Sequence, residues 1–251
     1  MKESAFSTCV GWALRFAPRT ETFCVFDLNA GPGENRRNGA NCRGTPLLMI
    51  DKLKEAHQPA EIWLCDKRKT TIAELRPKVV QNDTLFGPSS VQVHLVHADN
   101  AEFVRTIPGR ILKSGLSLGT CGVIIADPDG LDVPLAALAE IMPMLPRIDM
   151  AIHLCAFKQV WADQRRNRQH GGPFTLKRAV PSLSAIFAAI PKRSWLVSEP
   201  YGEGFTRGHL VMYGSNLKHL PNVDGKPGRP NMWRIDSDRG RQLRQAIEVA
   251  A

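Results

Sequence analysis

Three observations predict a doubly wound α/β domain. Short apolar, β-prone runs alternate with helical stretches along most of the chain. Four of these runs lead into an aspartate, at Asp27, Asp66, Asp99 and Asp127. The first passes into a Gly-x-Gly turn at Gly31 and Gly33, where only glycine leaves room for a close backbone approach. Ligands of such sheets bind along the carboxyl ends of the strands, so acids there are candidate site residues.

The elements follow in order. Apolar residues at Ala5, Phe6, Cys9, Trp12, Ala13 and Phe16 have helical spacing and predict a helix over 4–17. It packs on the sheet or helps cover the site; a core helix accounts for Trp12. Phe23-Cys24-Val25-Phe26 reads as a buried parallel strand ahead of Asp27. Residues 34–44 form a polar, Gly/Asn-rich stretch, expected as a long loop. Thr45-Pro46 predicts the next helix start, with Thr45 as N-cap and the helix running to about His57.

Glu61 to Asp66 is the second strand, and Thr70 to Val80 a helix. Asp66 can accept the hydroxyls of a ribose or cap the turn before Lys67-Arg68-Lys69. Val91 to Val96 alternates toward Asp99, with a helix from Ala101 to Thr106. Gly122 to Ala126 is the fourth strand, running into Asp127-Pro128-Asp129-Gly130. Then come a helix over 134–144, a fifth strand over 150–157 and a helix over 179–190. Ser194–Pro200 and Gly208–Gly214 pair as a closing hairpin. Residues 1–216 make one domain, and 217–251 are a polar, basic extension with a short final helix near 239–250.

The totals bound the class. A chain of 251 residues with 43% hydrophobic content can bury the core of one α/β domain. No apolar run approaches the roughly 20 residues of a membrane span. Met1-Lys2-Glu3-Ser4 has no secretory apolar segment. The six cysteines lack any Cys-x-x-Cys pair, and Cys24, Cys65 and Cys155 sit in strand-like runs. They read as buried thiols of a cytoplasmic protein, with no metal site. Lysine and arginine exceed acids by 33 to 24, a surplus of the kind that meets polyanions.

Residues 158–178 concentrate that surplus, with six Lys/Arg against one Asp and aromatics between them. Lys158, Trp161, Arg165, Arg166, Arg168, Lys177 and Arg178 are candidate nucleic-acid contacts, cations for phosphates and an aromatic for stacking. A solvated helix face would share this composition.

Asp27-x-x-x-Gly31-x-Gly33, Asp66, Asp99 and Asp127-Pro128, in that order, resemble a class I S-adenosylmethionine-dependent methyltransferase. The likeness covers roughly residues 20 to 215. Asp27-Leu28-Asn29-Ala30-Gly31-Pro32-Gly33, Gly44-Thr45-Pro46-Leu47 and Met212-Tyr213-Gly214-Ser215-Asn216 look more narrowly like the three-Cys-motif partner group of mobile-element and defence contexts. The resemblance implies a Rossmann-like, mixed seven-stranded sheet and S-adenosyl-L-methionine as cofactor. Asp27, Asn29, Ala30, Gly31 and Gly33 would shape the loop under its methionine part. Asp66 with Lys67 would meet the ribose, and Asp99 with Asn100 the adenine. Asp127, Pro128 and Asp129 would sit at the transfer site.

The activity so implied is methylation of an exocyclic base amine in nucleic acid, DNA ahead of RNA. Amino methyltransferases of bases carry a second proline and an aromatic after the Asp/Asn-Pro pair, and this chain does not. Phe157, Trp161, Phe174 or Tyr201 could stack on the base instead. Two other readings stay open: transfer to a small molecule or protein, and a nucleic-acid-binding protein that keeps the fold without catalysis. A dinucleotide-dependent dehydrogenase fits less well, because the third glycine of Gly-x-Gly-x-x-Gly is missing.

Overall fold

The computed structural model describes residues 2–37, 40–86, 90–128, 133–155, 183–199, 209–217, 220 and 231–250. Its first half contains α1 (Lys2–Phe16), β1 (Phe23–Asp27), β2 (Glu34–Arg37), β3 (Ala40–Arg43), α2 (Thr45–Glu55), β4 (Ala60–Asp66), α3 (Lys69–Phe86), β5 (Val91–His97) and α4 (Asn100–Lys113). There follow β6 (Gly122–Ala126), α5 (Leu135–Ile141) with a 3-10 turn at Met142–Met144, and β7 (Ile148–Cys155). The chain closes with α6 (Leu183–Ala189), β8 (Ser194–Ser198), β9 (His209–Ser215), β10 (Met232–Arg234) and α7 (Asp238–Ala250).

One sheet organises these elements, in the order β10-β8-β9-β7-β6-β1-β4-β5. The five strands from β7 to β5 are parallel, and β9, β8 and β10 add antiparallel. This is the Rossmann-like doubly wound sheet the acid-tipped strands predict. Among the described residues it has eight strands rather than seven. Met232–Arg234 pairs with β8 from within the stretch read as a polar extension. Three residues are too few for a period-2 pattern to stand out, yet Met232 is fully buried.

The apolar alternation of the central strands explains the two helical layers. Phe23 and Val25 of β1 turn toward α1, α2 and α3, joining Phe6, Trp12, Ile50 and Leu75. Cys24 and Phe26 turn the other way, toward α4, α5 and α6, joining Phe103, Leu138 and Ile186. Both faces are covered, so β1, β4 and β6 are buried at every position. The edge strand β5 keeps only Val91 buried.

Three local expectations need correction. Glu34–Arg37 and Ala40–Arg43, expected within a long loop, pair as a two-stranded antiparallel arm, registered Glu34↔Arg43 to Arg37↔Ala40. Asn38-Gly39, a two-residue hairpin signature, was the overlooked signal. Thr45 is the first residue of α2 rather than its cap, a place taken by Gly44 with no side-chain bond. Finally, α4 runs through Pro108 to Lys113, because the buried stripe Phe103, Val104, Ile107 and Ile111 outweighs one lost backbone bond.

Four cysteines among the described residues behave as buried thiols. Cys9, Cys24, Cys65 and Cys121 are buried and free, and Cys42 is free and half-buried. Burial above all pushes the Cys24 and Cys65 thiols up to about 12, far from a reactive thiolate.

Candidate functional site

Strand order reverses beside β1: β4 and β5 build outward on one side, β6 and β7 on the other. Such a switch point leaves a crevice at the carboxyl ends of the strands. A cleft of about 490 Å³ opens there. Its wall includes Asn29, Ala30, Gly31, Gly33, Asp66, Lys67, Asp99, Asn100, Asp127 and Pro128, all of them residues singled out from the sequence. Residues scattered over a hundred positions thus line one space.

The turn after β1 forms the base of this cleft. Asp27 is fully buried below the wall, and its Oδ1 accepts from the Asn29 amide at 3.0 Å. The Leu28 amide donates to the Ile125 carbonyl at 2.9 Å and the Ala30 amide to the Cys65 carbonyl at 2.8 Å, tying the turn to both neighbouring strands. Gly31 and Gly33 adopt φ of +68° and +82°, conformations that side chains disfavour. A Cβ on Gly33 would stand 2.7 Å from Leu75 Cδ1, whereas one on Gly31 would meet nothing within 4 Å.

Three carboxylates face this turn in different states. Asp66 is 7% exposed; its Oδ2 accepts from the Gly31 amide at 3.2 Å and its Oδ1 from the Arg68 amide at 2.8 Å. A carboxylate offers about four acceptor sites, so these two bonds orient it without saturating it. Asp99 caps α4, accepting from the Ala101 amide at 2.9 Å. Asp127 is held through Oδ1 by His153 Nδ1 at 2.8 Å, with side chains only 9% and 4% exposed. An ionised carboxylate only accepts, so His153 Nδ1 carries the proton in that bond.

His153 was missed by sequence reasoning. It sits inside an apolar strand, and only the β6–β7 pairing, with Ala126 opposite Ile152, sets it beside Asp127. Phe6 of α1 packs edge-on against the imidazole at 6.5 Å, so the N-terminal helix backs the site. Asn35, Gly44, Thr45 and Arg68 also line the cleft without having been selected.

Other candidates cannot be placed. Asp129 lies outside the described residues, as do Lys158, Trp161, Arg165, Arg166, Arg168, Lys177 and Arg178, and the aromatics Phe157, Phe174 and Tyr201.

The residues present fit the cofactor that the resemblance implies. Acceptors dominate the wall, suiting a ligand that carries a sulfonium, an ammonium, ribose hydroxyls and an adenine amine. The buried Asn29 Oδ1 has no hydrogen-bond partner among the described residues, an orphan of the kind a bound ligand or water satisfies. The turn at Gly31 leaves open space where a Cβ would otherwise intrude.

No family model and no curated protein matches the sequence. Among solved structures the chain is similar to protein LPL1258 from Legionella pneumophila, at 11% identity and a TM-score of 0.55, over 87% of this chain and 84% of that one. This likeness bears on the fold. Weaker similarities reach the small RNA methyltransferase HEN1 (9% identity, TM-score 0.46, 92% of this chain and 27% of that one). The N-terminal domain of human METTL16 lies equally far (9% identity, TM-score 0.44, 85% and 69%). Both are too distant to inform the chemistry.

Proposed function

We propose that the chain is an S-adenosyl-L-methionine-dependent methyltransferase acting on nucleic acid, through an exocyclic base amine. The observation that carries this reading is the convergence of Asp66, Asp99 and Asp127 with the Gly31–Gly33 turn on one cleft at the switch point. In the proposed roles, the turn from Asn29 to Gly33 cradles the methionine part. Asp66 beside Lys67 takes the ribose hydroxyls, and Asp99 with Asn100 takes the adenine.

The bound cofactor would supply an activated methyl group, so the protein has mainly to position an acceptor in line with it. Asp127 is suited to that task. Its carboxylate accepts a hydrogen bond from an N–H, orients the nitrogen lone pair, and can receive the proton the amine releases at Oδ2. Pro128 stiffens the backbone beside it, and Asp129 stands next in sequence as a second acceptor. The basic surplus supports a polyanionic substrate. The resemblance to a mobile-element group makes DNA the first substrate to test.

A second reading has one observation in its favour. The run Asp127-Pro128-Asp129-Gly130 lacks the aromatic on which a flipped base would stack, which suits a small-molecule or protein acceptor. A tritiated-methyl transfer assay against duplex DNA, single-stranded DNA and total RNA tests both. Label in one nucleic acid is the expected result, and digestion to nucleosides then names the base. No label in any, with calorimetry showing cofactor binding, would move the assignment to the second reading.

A further inference from the structure

The head of α2 is left without a cap, and a close approach of backbone is the reason. The residue in front of the helix is Gly44, at φ −82° and ψ 173°, a conformation any residue adopts. What requires glycine there is space. A Cβ on Gly44 would stand 3.1 Å from the carbonyl carbon and the oxygen of Gly33, and that oxygen accepts from the Gly44 amide at 2.7 Å. Ser, Thr, Asp and Asn, the usual caps, are therefore disfavoured. With no side-chain cap and no acid in its first turn, α2 leaves the positive end of its dipole uncompensated.

Thr45 is a second and independent sign of a ligand. It stands one place too late to cap its own helix, is 5% exposed, and lines the cleft wall. Its hydroxyl has no hydrogen-bond partner among the described residues, and Pro46 after it offers no amide donor. On the same wall the buried Asn29 Oδ1 also lacks a partner among the described residues. The two unmet groups differ in kind. Asn29 Oδ1 only accepts, whereas the Thr45 hydroxyl donates and the head of α2 favours negative charge.

We propose that Thr45 and the head of α2 hold the carboxylate at the amino-acid end of S-adenosyl-L-methionine. The inference rests on the cofactor reading above and names the residue that recognises this end. Asp66, Asp99 and Asp127 make the wall acidic, so a simple anion is repelled. A group that carries its own cation suits both surroundings. The amino-acid end is one, with an ammonium for Asn29 Oδ1 and a carboxylate for Thr45. The cations on the wall, Lys67 and Arg68, follow Asp66, and Arg68 Nε stands 3.7 Å from its carboxylate. The Gly44–Gly33 bond instead ties the head of α2 to the glycine turn proposed to cradle the methionine part.

The test is isothermal titration calorimetry with S-adenosyl-L-methionine and its decarboxylated form, which differ in that one carboxylate. The readout is the ratio of their affinities, because a loss common to both ligands cancels in it. Thr45→Val keeps the side-chain shape and removes the hydroxyl. The preference for the intact cofactor should then fall by about tenfold to a hundredfold, the range of one hydrogen bond to a charged group. Thr45→Ser keeps the hydroxyl and should restore the preference. An unchanged ratio in Thr45→Val, or one that Thr45→Ser fails to restore, overturns the inference and leaves the cofactor reading standing. No binding of S-adenosyl-L-methionine by the wild-type chain overturns both.

Discussion

His153 Nδ1 and Asp127 Oδ1 lie 2.8 Å apart at the ends of two neighbouring strands, almost wholly out of solvent. A hydrogen bond to a charged group in such a place is worth roughly 1.5–3 kcal/mol. It fixes the carboxylate that the proposed chemistry needs.

The first prediction concerns that pair. His153→Leu removes the donor and should lower the transfer rate by about tenfold to a hundredfold, the kinetic equivalent of that bond. His153→Asn keeps an N–H near the Nδ1 position and should recover most of the rate. Single-turnover transfer measures both, with calorimetry expected to show unchanged cofactor affinity. Equal losses in the two variants would reduce His153 to a packing residue.

Asp66 carries the second. Asp66→Ala removes the proposed ribose acceptor and the partner of the Gly31 amide together. Cofactor affinity should fall by about 1–3 kcal/mol, read by calorimetry. Unchanged affinity would take Asp66 out of the ribose role.

The two glycines of the turn give a third prediction, about stability. Gly33→Ala meets both a φ of +82° and a Cβ 2.7 Å from Leu75 Cδ1, whereas Gly31→Ala meets only its φ of +68°. Strain of this kind costs about 1–3 kcal/mol, and about 2–4 °C in Tm per kcal/mol for a chain of this size. Thermal melts should show Gly33→Ala losing more than Gly31→Ala. The reverse order would mean that Leu75 yields freely.

Lys192 sets the fourth. It is 9% exposed near Asp149, and burial pulls its ammonium down to about 8, with the Asp149 charge opposing. Above pH 8 the folded chain sheds this proton, while the unfolded chain keeps it until about 10.5. The unfolded state therefore binds more protons in that window, and the Lys192 contribution to stability rises with pH there. The unfolding free energy of the wild-type chain minus that of Lys192→Met should rise from about pH 8 to 10.5 and stay flat below. A signed difference that falls across the window would contradict the burial. Asp149, bonded by Tyr213, has its own carboxyl pushed up, by burial first.

Much of the candidate site is legible in the sequence. An acid at a strand end is a local pattern, so Asp66, Asp99 and Asp127 could be read from the apolar runs ahead of them. Gly31 and Gly33 announced a turn that only glycine makes comfortably, and both have positive φ. His153 could not be read this way. An isolated histidine in an apolar strand signals nothing until a neighbouring strand supplies its partner. The β2–β3 arm lay between these cases, since its Asn38-Gly39 signal was present but its short polar strands bury no apolar face.

The sequence alone determined the alternation of strands and helices, the acids at the strand ends, the glycine turn and the net positive charge. These follow from residue type and short-range spacing, because side-chain period and backbone sterics act over a few residues. Tertiary structure decided the rest: the strand order that opens the cleft beside β1, the register that sets His153 against Asp127, and the pairing of Met232–Arg234 as an eighth strand. Each is a meeting of segments distant along the chain. Its energy comes from pairing and burial between elements, which no local window contains.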